Sequence, residues 1–345
     1  MGNTLRPISH RDAFALREME QLLRAEGIRR DANLDYSCGI YDADECLIAT
    51  GSCFHNTIRC LAVDRTCRGQ GLLVQIVSHL MAVQAQRGNL HVFLYTSCKN
   101  IPFFSDLGFY EIARVDEKLV FMESRRDGFR NYCDSLRTRP GDRIAAVVMN
   151  ANPFTLGHRH LLEQAAGEND VVHLFLLSEE HGPIPHAVRR KLVEEGISDL
   201  PNVILQDTES YLISSATFPS YFLKDGNDVI LTQAELDLEL FAKIAGRLGI
   251  TRRYAGSEPT SRVTGIYNRV MEVRLPDHGI RCCIIPRLEA EGDVISAGAV
   301  RQAIHDDRLA SVKKMLPEST YRYFASPESA AVRDAIRREA DLIHY

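Results

Sequence analysis

The rhythm of apolar and polar positions changes near residue 144. Before it, short apolar stretches separated by tight turns predict strands at Tyr36–Tyr41, Cys46–Phe54, Thr57–Val63, His91–Tyr95, Phe109–Ala113 and Lys118–Met122. Helical spacing is expected at 11–26, closed by Gly27, at 72–86, and at 101–106. After it, strands and helices alternate. Strands are expected at 144–149, 171–177, 203–205, 229–231, 253–255 and 281–285, and helices at 158–166, 186–197, 232–248, 267–275, 299–306 and 311–316. The expected fold class is α/β, with an N-terminal α+β domain at 1–125 and a Rossmann-like, doubly wound domain at 142–345. The stretch between them, 126–141, is polar, rich in Arg and Asp, and reads as a linker with a helical piece through Phe129–Leu136.

The chemistry concentrates where strand gives way to helix. Ile144–Val148 runs into Met149-Asn150-Ala151-Asn152-Pro153-Phe154-Thr155-Leu156-Gly157-His158, and a helical pattern follows. Such a turn aims backbone N–H groups and an imidazole at one point, where a polyphosphate fits. Gly157 leaves room for close approach of the anion. His158 and Thr155 are candidate hydrogen-bond donors to phosphate, Asn150 to the nucleophile or phosphate, and Asn152 shapes the turn. Far downstream, Ile295-Ser296-Ala297-Gly298-Ala299-Val300-Arg301 places an N-capping Ser296 before a helix. Arg301 follows about one and a half turns later, within reach of an anion at the helix start.

A third loop, Arg68-Gly69-Gln70-Gly71, also joins a strand to a helix and turns its N–H groups toward one anion. Asn100-Ile101-Pro102-Phe103-Phe104-Ser105-Asp106-Leu107-Gly108-Phe109 comes next. Composition adds limits. A net charge of −5 argues against nucleic acid as a main partner. No apolar run is long enough to span a bilayer. The 9 cysteines lack the close pairs of a zinc site and read as reduced thiols of a cytoplasmic protein. No residues are assigned to a metal.

The Arg68–Gly71 loop and the Asn100–Phe109 stretch resemble the GCN5-related N-acetyltransferase fold. That resemblance implies that Arg68, Gly69, Gln70, Gly71 and Asn100 bind the acyl carrier's phosphopantetheine arm. The fold's pattern has Gly or Ala where this chain has Leu73. The Thr155–His158 and Ile295–Arg301 segments resemble the paired motifs of the nucleotidyltransferase superfamily, with Gly298 standing where that pattern has Ser or Thr.

Other segments agree in order: Ser178-Glu179-Glu180, Pro185–Val193, Asp199–Val203, Gly256-Ser257-Glu258-Pro259 and Thr264–Met271. With the motifs above, they resemble the [citrate (pro-3S)-lyase] ligase family over nearly the whole chain. The resemblance implies ATP-dependent acetylation of the thiol on the coenzyme A-derived prosthetic group of the citrate lyase acyl carrier subunit. It implies acetate as substrate, acetyl-adenylate as intermediate, and magnesium arriving with ATP. Gly256 and Glu258 would line the adenosine pocket, and Ser296 and Arg301 would clamp the outer phosphates. The competing expectation is a coenzyme or nucleotide adenylyltransferase with a regulatory acyl-CoA-binding domain.

Overall fold

The computed structural model describes residues 2–180, 182–212, 218–219, 226–257, 262–290 and 293–339. The chain divides into two compact units. One comprises Met1–Tyr132 with Pro219–Thr232, and the other Cys133–Phe218 with Gln233–Tyr345.

The first unit is built on a seven-stranded sheet. Its elements run β1 (Thr4–Pro7), α1 (Ala13–Ala25), β2 (Tyr36–Tyr41), β3 (Leu47–Phe54), β4 (Thr57–Val63), α2 (Leu72–Gln86), β5 (Phe93–Thr96), α3 (Ile101–Asp106), β6 (Tyr110–Val115) and β7 (Leu119–Glu123). The spatial order is β1-β2-β3-β4-β5-β7-β6. All neighbours are antiparallel except β4 and β5, which pair only at Thr57–Phe93 and Ile58–Leu94. Asp12 caps α1, accepting from the N–H groups of Phe14 and Ala15 at 3.1 and 3.0 Å. The apolar stripe of α1 (Ala15, Met19, Leu22, Leu23) packs with Cys60 and Ala62 of β4. Leu72, Ile76, Val77 and Leu80 of α2 pack with Ile58 and the inner residues of β2 and β5. A helix α4 (Gly128–Ser135) occupies the stretch expected as linker, and the division between units falls inside it.

The second unit carries a five-stranded parallel sheet. In chain order its main elements are β8 (Ile144–Met149), α5 (Leu156–Glu168), β9 (Val171–Leu176), α6 (His186–Gly196), β10 (Val203–Asp207), α7 (Gly226–Leu248, which the division enters at Gln233), β11 (Arg252–Gly256), α8 (Arg262–Arg274) and β12 (Arg281–Ile285). A short hairpin, β13 (Glu289–Ala290) and β14 (Asp293–Val294), leads to α9 (Ala297–His305), α10 (Glu318–Ala325) and α11 (Ala330–Arg338). The strand order is β10-β9-β8-β11-β12. The chain therefore winds outward from β8 in one direction, then returns to its other side through β11. The carboxyl end of β8 lies at this reversal, where open α/β sheets bind ligands. Residues 137–139 lie along the free edge of β10. Arg137 N–H donates to Gln206 Oε1 at 3.2 Å, Gln206 Nε2 donates to the Arg137 carbonyl at 2.6 Å, and Arg139 donates to the Pro201 carbonyl at 2.6 Å.

The α+β unit followed by a doubly wound unit stands as the fold class. One expected strand does not. Val229–Leu231 lies inside α7, because a three-residue apolar run fits either period. Here it continues a long amphipathic helix with Asp228 in its first turn. The 311–316 helix is a 3₁₀ segment, Leu309–Met315.

Candidate active site

Thr155 ends an extended turn and caps α5. Its N–H donates to His158 Nδ1 at 3.1 Å, and its Oγ1 lies 2.9 Å from the same nitrogen. His158 N–H donates back to Thr155 Oγ1 at 3.4 Å, closing a reciprocal cap. A backbone N–H can only donate, so Nδ1 must accept, and the imidazole proton belongs on Nε2. Burial, with the charges of Arg287 and Arg301, pushes the His158 imidazole down to about 4. The ring is therefore a neutral Nε2–H donor at neutral pH, stacked on buried Phe154 at 5.9 Å.

Thr155 is 1% exposed, and its hydroxyl is engaged by His158. These bonds orient the imidazole. Arg301 is 1% exposed, and its guanidinium donates to the Asn152 carbonyl. It braces the turn from beneath. Arg189 of α6 is buried among the carbonyls of Asn150, Leu177, Glu179 and Ile184. Lys191, also on α6, faces outward to Glu328 at 2.7 Å.

The two distant motifs come together. A Cβ on Gly157 would lie 3.5 Å from the Ile295 side chain and carbonyl, an ordinary contact. Ser296 Oγ accepts from Ala299 N–H at 3.1 Å, which leaves its O–H as a donor at the start of α9. Asn150, half-buried at the end of β8, accepts from Arg189 through Oδ1 at 2.7 Å. Asn152 is 2% exposed, and neither atom of its amide has a hydrogen-bond partner among the described residues. A buried amide in that state is strained by lost solvation. Gly256 ends β11, with open space where a side chain would stand. Glu258 lies outside the described residues.

Sequence reasoning missed Arg287. It follows β12, donates through Nε to the Ser257 carbonyl at 2.9 Å, and is the first charge acting on His158. No local signal marked it: its place just beyond the Arg281–Ile285 strand gains meaning only once the fold puts it at the carboxyl edge of the sheet. His173 of β9 is buried against Gln206 at 3.1 Å, and burial pushes it down to about 4.

The first unit's loop is built differently. Gly69 and Gly71 have φ of +80° and +72°, the left-handed region where a Cβ is strained. Nothing lies within 4 Å of where those Cβ atoms would be. Gly71 begins α2 without any side-chain cap, so the first N–H groups of this helix face outward. Arg68 pairs with Glu26 beside the loop, and Gln70 is exposed. Asn100 donates to Thr96 Oγ1 at 2.9 Å, joining the start of α3 to the end of β5. Leu73, where the family pattern has a small residue, turns into the core of the unit rather than into the loop.

A neutral imidazole donor and the charges of Arg287 and Arg301 thus gather at the reversal of a doubly wound sheet, where open α/β sheets bind ligands. Residues 144–324 match the family described as the citrate lyase ligase C-terminal domain. The chain is 35% identical over 312 residues to [citrate [pro-3S]-lyase] ligase of Klebsiella pneumoniae, covering 88% of this chain and 91% of that one. It is 34% identical over 330 residues to the protein of the same name from Escherichia coli strain K12, covering 93% and 94%. An acyl-CoA N-acyltransferase-type structure from Klebsiella pneumoniae is 19% identical, covering 35% of this chain and 95% of that one, with a TM-score of 0.31. This chain belongs to the citrate lyase ligase family and is a ligase.

Proposed function

We propose that the protein joins acetate to the thiol of the coenzyme A-derived prosthetic group on the acyl carrier subunit of citrate lyase, consuming ATP. The observation that carries this reading is His158, held as a neutral donor at the sheet reversal of a chain from this family. An acetate oxygen attacks the α-phosphorus, and the bond to the leaving pyrophosphate breaks. The thiolate then attacks the acetyl carbonyl, AMP leaves, and the thiol proton passes to solvent.

The donor set fits a nucleoside triphosphate. His158 Nε2–H would donate to the charge that grows in the transition state, with no proton transfer needed. Arg287 adds positive charge beside it. The Ser296 hydroxyl would meet an outer phosphate, and Asn152's buried amide carries a donor and an acceptor without a partner among the described residues. Asn150 offers Nδ2 to the reacting oxygens. Gly256 leaves open space where adenosine would lie, and Glu258 remains a candidate there from sequence. Magnesium would enter with the phosphates and neutralise their charge. Among the described residues no group of three or more His, Cys, Asp or Glu side chains forms a cation cage.

Arg68, Gly69, Gln70, Gly71 and Asn100 would hold the phosphopantetheine arm, the uncapped N–H groups of α2 meeting its phosphate. All nine cysteines are free thiols, which suits a reducing compartment, and we place the protein in the cytoplasm. No helix among the described residues is long and apolar enough to cross a membrane.

The test is exchange of labelled pyrophosphate into ATP without carrier protein. Exchange that requires both acetate and His158 supports acetyl-adenylate formation in the second unit. Exchange that ignores acetate and needs a phosphorylated coenzyme precursor overturns it in favour of an adenylyltransferase.

A further inference from the structure

Arg189, with 0% exposure, is with Arg301 among the largest fully buried side chains of the described residues. Its Nη1 donates to the Asn150 carbonyl at 2.8 Å, to Asn150 Oδ1 at 2.7 Å and to the Leu177 carbonyl at 2.9 Å. Nε donates to the Ile184 carbonyl at 3.2 Å, and Nη2 to the Glu179 carbonyl. One guanidinium thus ties the carboxyl ends of β8 and β9 to the loop before α6.

A guanidinium has donors only. The Asn150 atom that faces it must be the oxygen, so Nδ2 faces the other way. An asparagine free to rotate by half a turn would present oxygen to an anionic substrate and repel it. We propose that Arg189 is a positioning residue that locks the Asn150 amide, so that Nδ2–H is always offered to the attacking carboxylate. This inference rests on the acetyl-adenylate reading and deepens it, by naming the group that meets the acetate.

Two measurements separate the lock from its use. Asn150→Asp keeps an oxygen for Arg189, and Asn150→Leu removes it. The Leu variant should melt below both the Asp variant and the parent, because the buried guanidinium loses its bond to Oδ1 while keeping its carbonyl partners. Equal melting of the two variants overturns the lock, whatever the enzyme's reaction proves to be. The second measurement is the KM for acetate in pyrophosphate exchange. Arg189→Lys should raise it about tenfold with a smaller change in kcat. In the Asn150→Ala background, Arg189→Lys should raise it no further. Multiplying effects overturn the positioning role and leave Arg189 as a brace alone. Failure of the wild-type enzyme to need acetate sinks the adenylate reading, while the melting comparison still decides the lock.

Discussion

The protein contains two strand-to-helix loops of similar sequence grammar and opposite construction. At the start of α5 the helix end is closed by side chains. Thr155 and His158 satisfy each other, and buried Arg189 and Arg301 hold the carbonyls of Asn150 and Asn152. At the start of α2 the helix end is open, shaped by two left-handed glycines and uncapped. The first is a rigid frame presenting a few chosen donors, as bond-making requires. The second is a bare backbone cradle, which suits holding a phosphate without reacting with it. A glycine-rich loop and a helix start therefore do not define one device. What fills the helix end decides it.

The largest test of this contrast is His158→Ala. Acetate-dependent pyrophosphate exchange should fall about a hundred- to thousandfold, as for loss of a transition-state donor. An equal fall from a change in the α2 loop would break the distinction.

The pH response comes next. His158 and His173 each have a folded value of about 4 against an ordinary 6.5. Between these values the unfolded chain binds protons that the native second unit refuses. Their contribution is fully present above about pH 6.5 and is lost as pH falls toward 4. The slope approaches about 1.4 kcal/mol per pH unit for each histidine. Urea unfolding across this window should show the loss, and His173→Gln should flatten it.

Gly71→Ala is a smaller perturbation. A Cβ in the left-handed region costs about 1–2 kcal/mol, measurable by thermal unfolding. Carrier acetylation should fall while pyrophosphate exchange persists. Smallest in stability is Thr155→Val, which removes a cap at about 1 kcal/mol. Its exchange rate should fall by more than that cap accounts for, because Nδ1 of His158 loses its hydroxyl neighbour.

Much of this was legible in the chain. Ser296 was legible as a cap because capping is local chemistry, whereas Thr155 and His158 were read as a phosphate turn and their reciprocal cap was not. Arg301 was legible as a partner of the turn but not in its contact, since its aim depends on packing between residues 149 apart in sequence. Arg189 and Arg287 were out of reach as site elements. An arginine on a helix or after a strand declares nothing until the fold fixes what surrounds it. Val229–Leu231 misled because three apolar residues carry no period, and β1 and the β13–β14 hairpin were too short to carry one.

The segment at 137–139 has a consequence for the protein's behaviour in a crowded solution. By bonding to the Gln206 side chain and the Leu205 and Pro201 carbonyls, it covers part of the edge that a strand from a neighbouring molecule would seek. The parallel sheet can thus remain wide and apolar within while offering little foothold there for growth into a fibre.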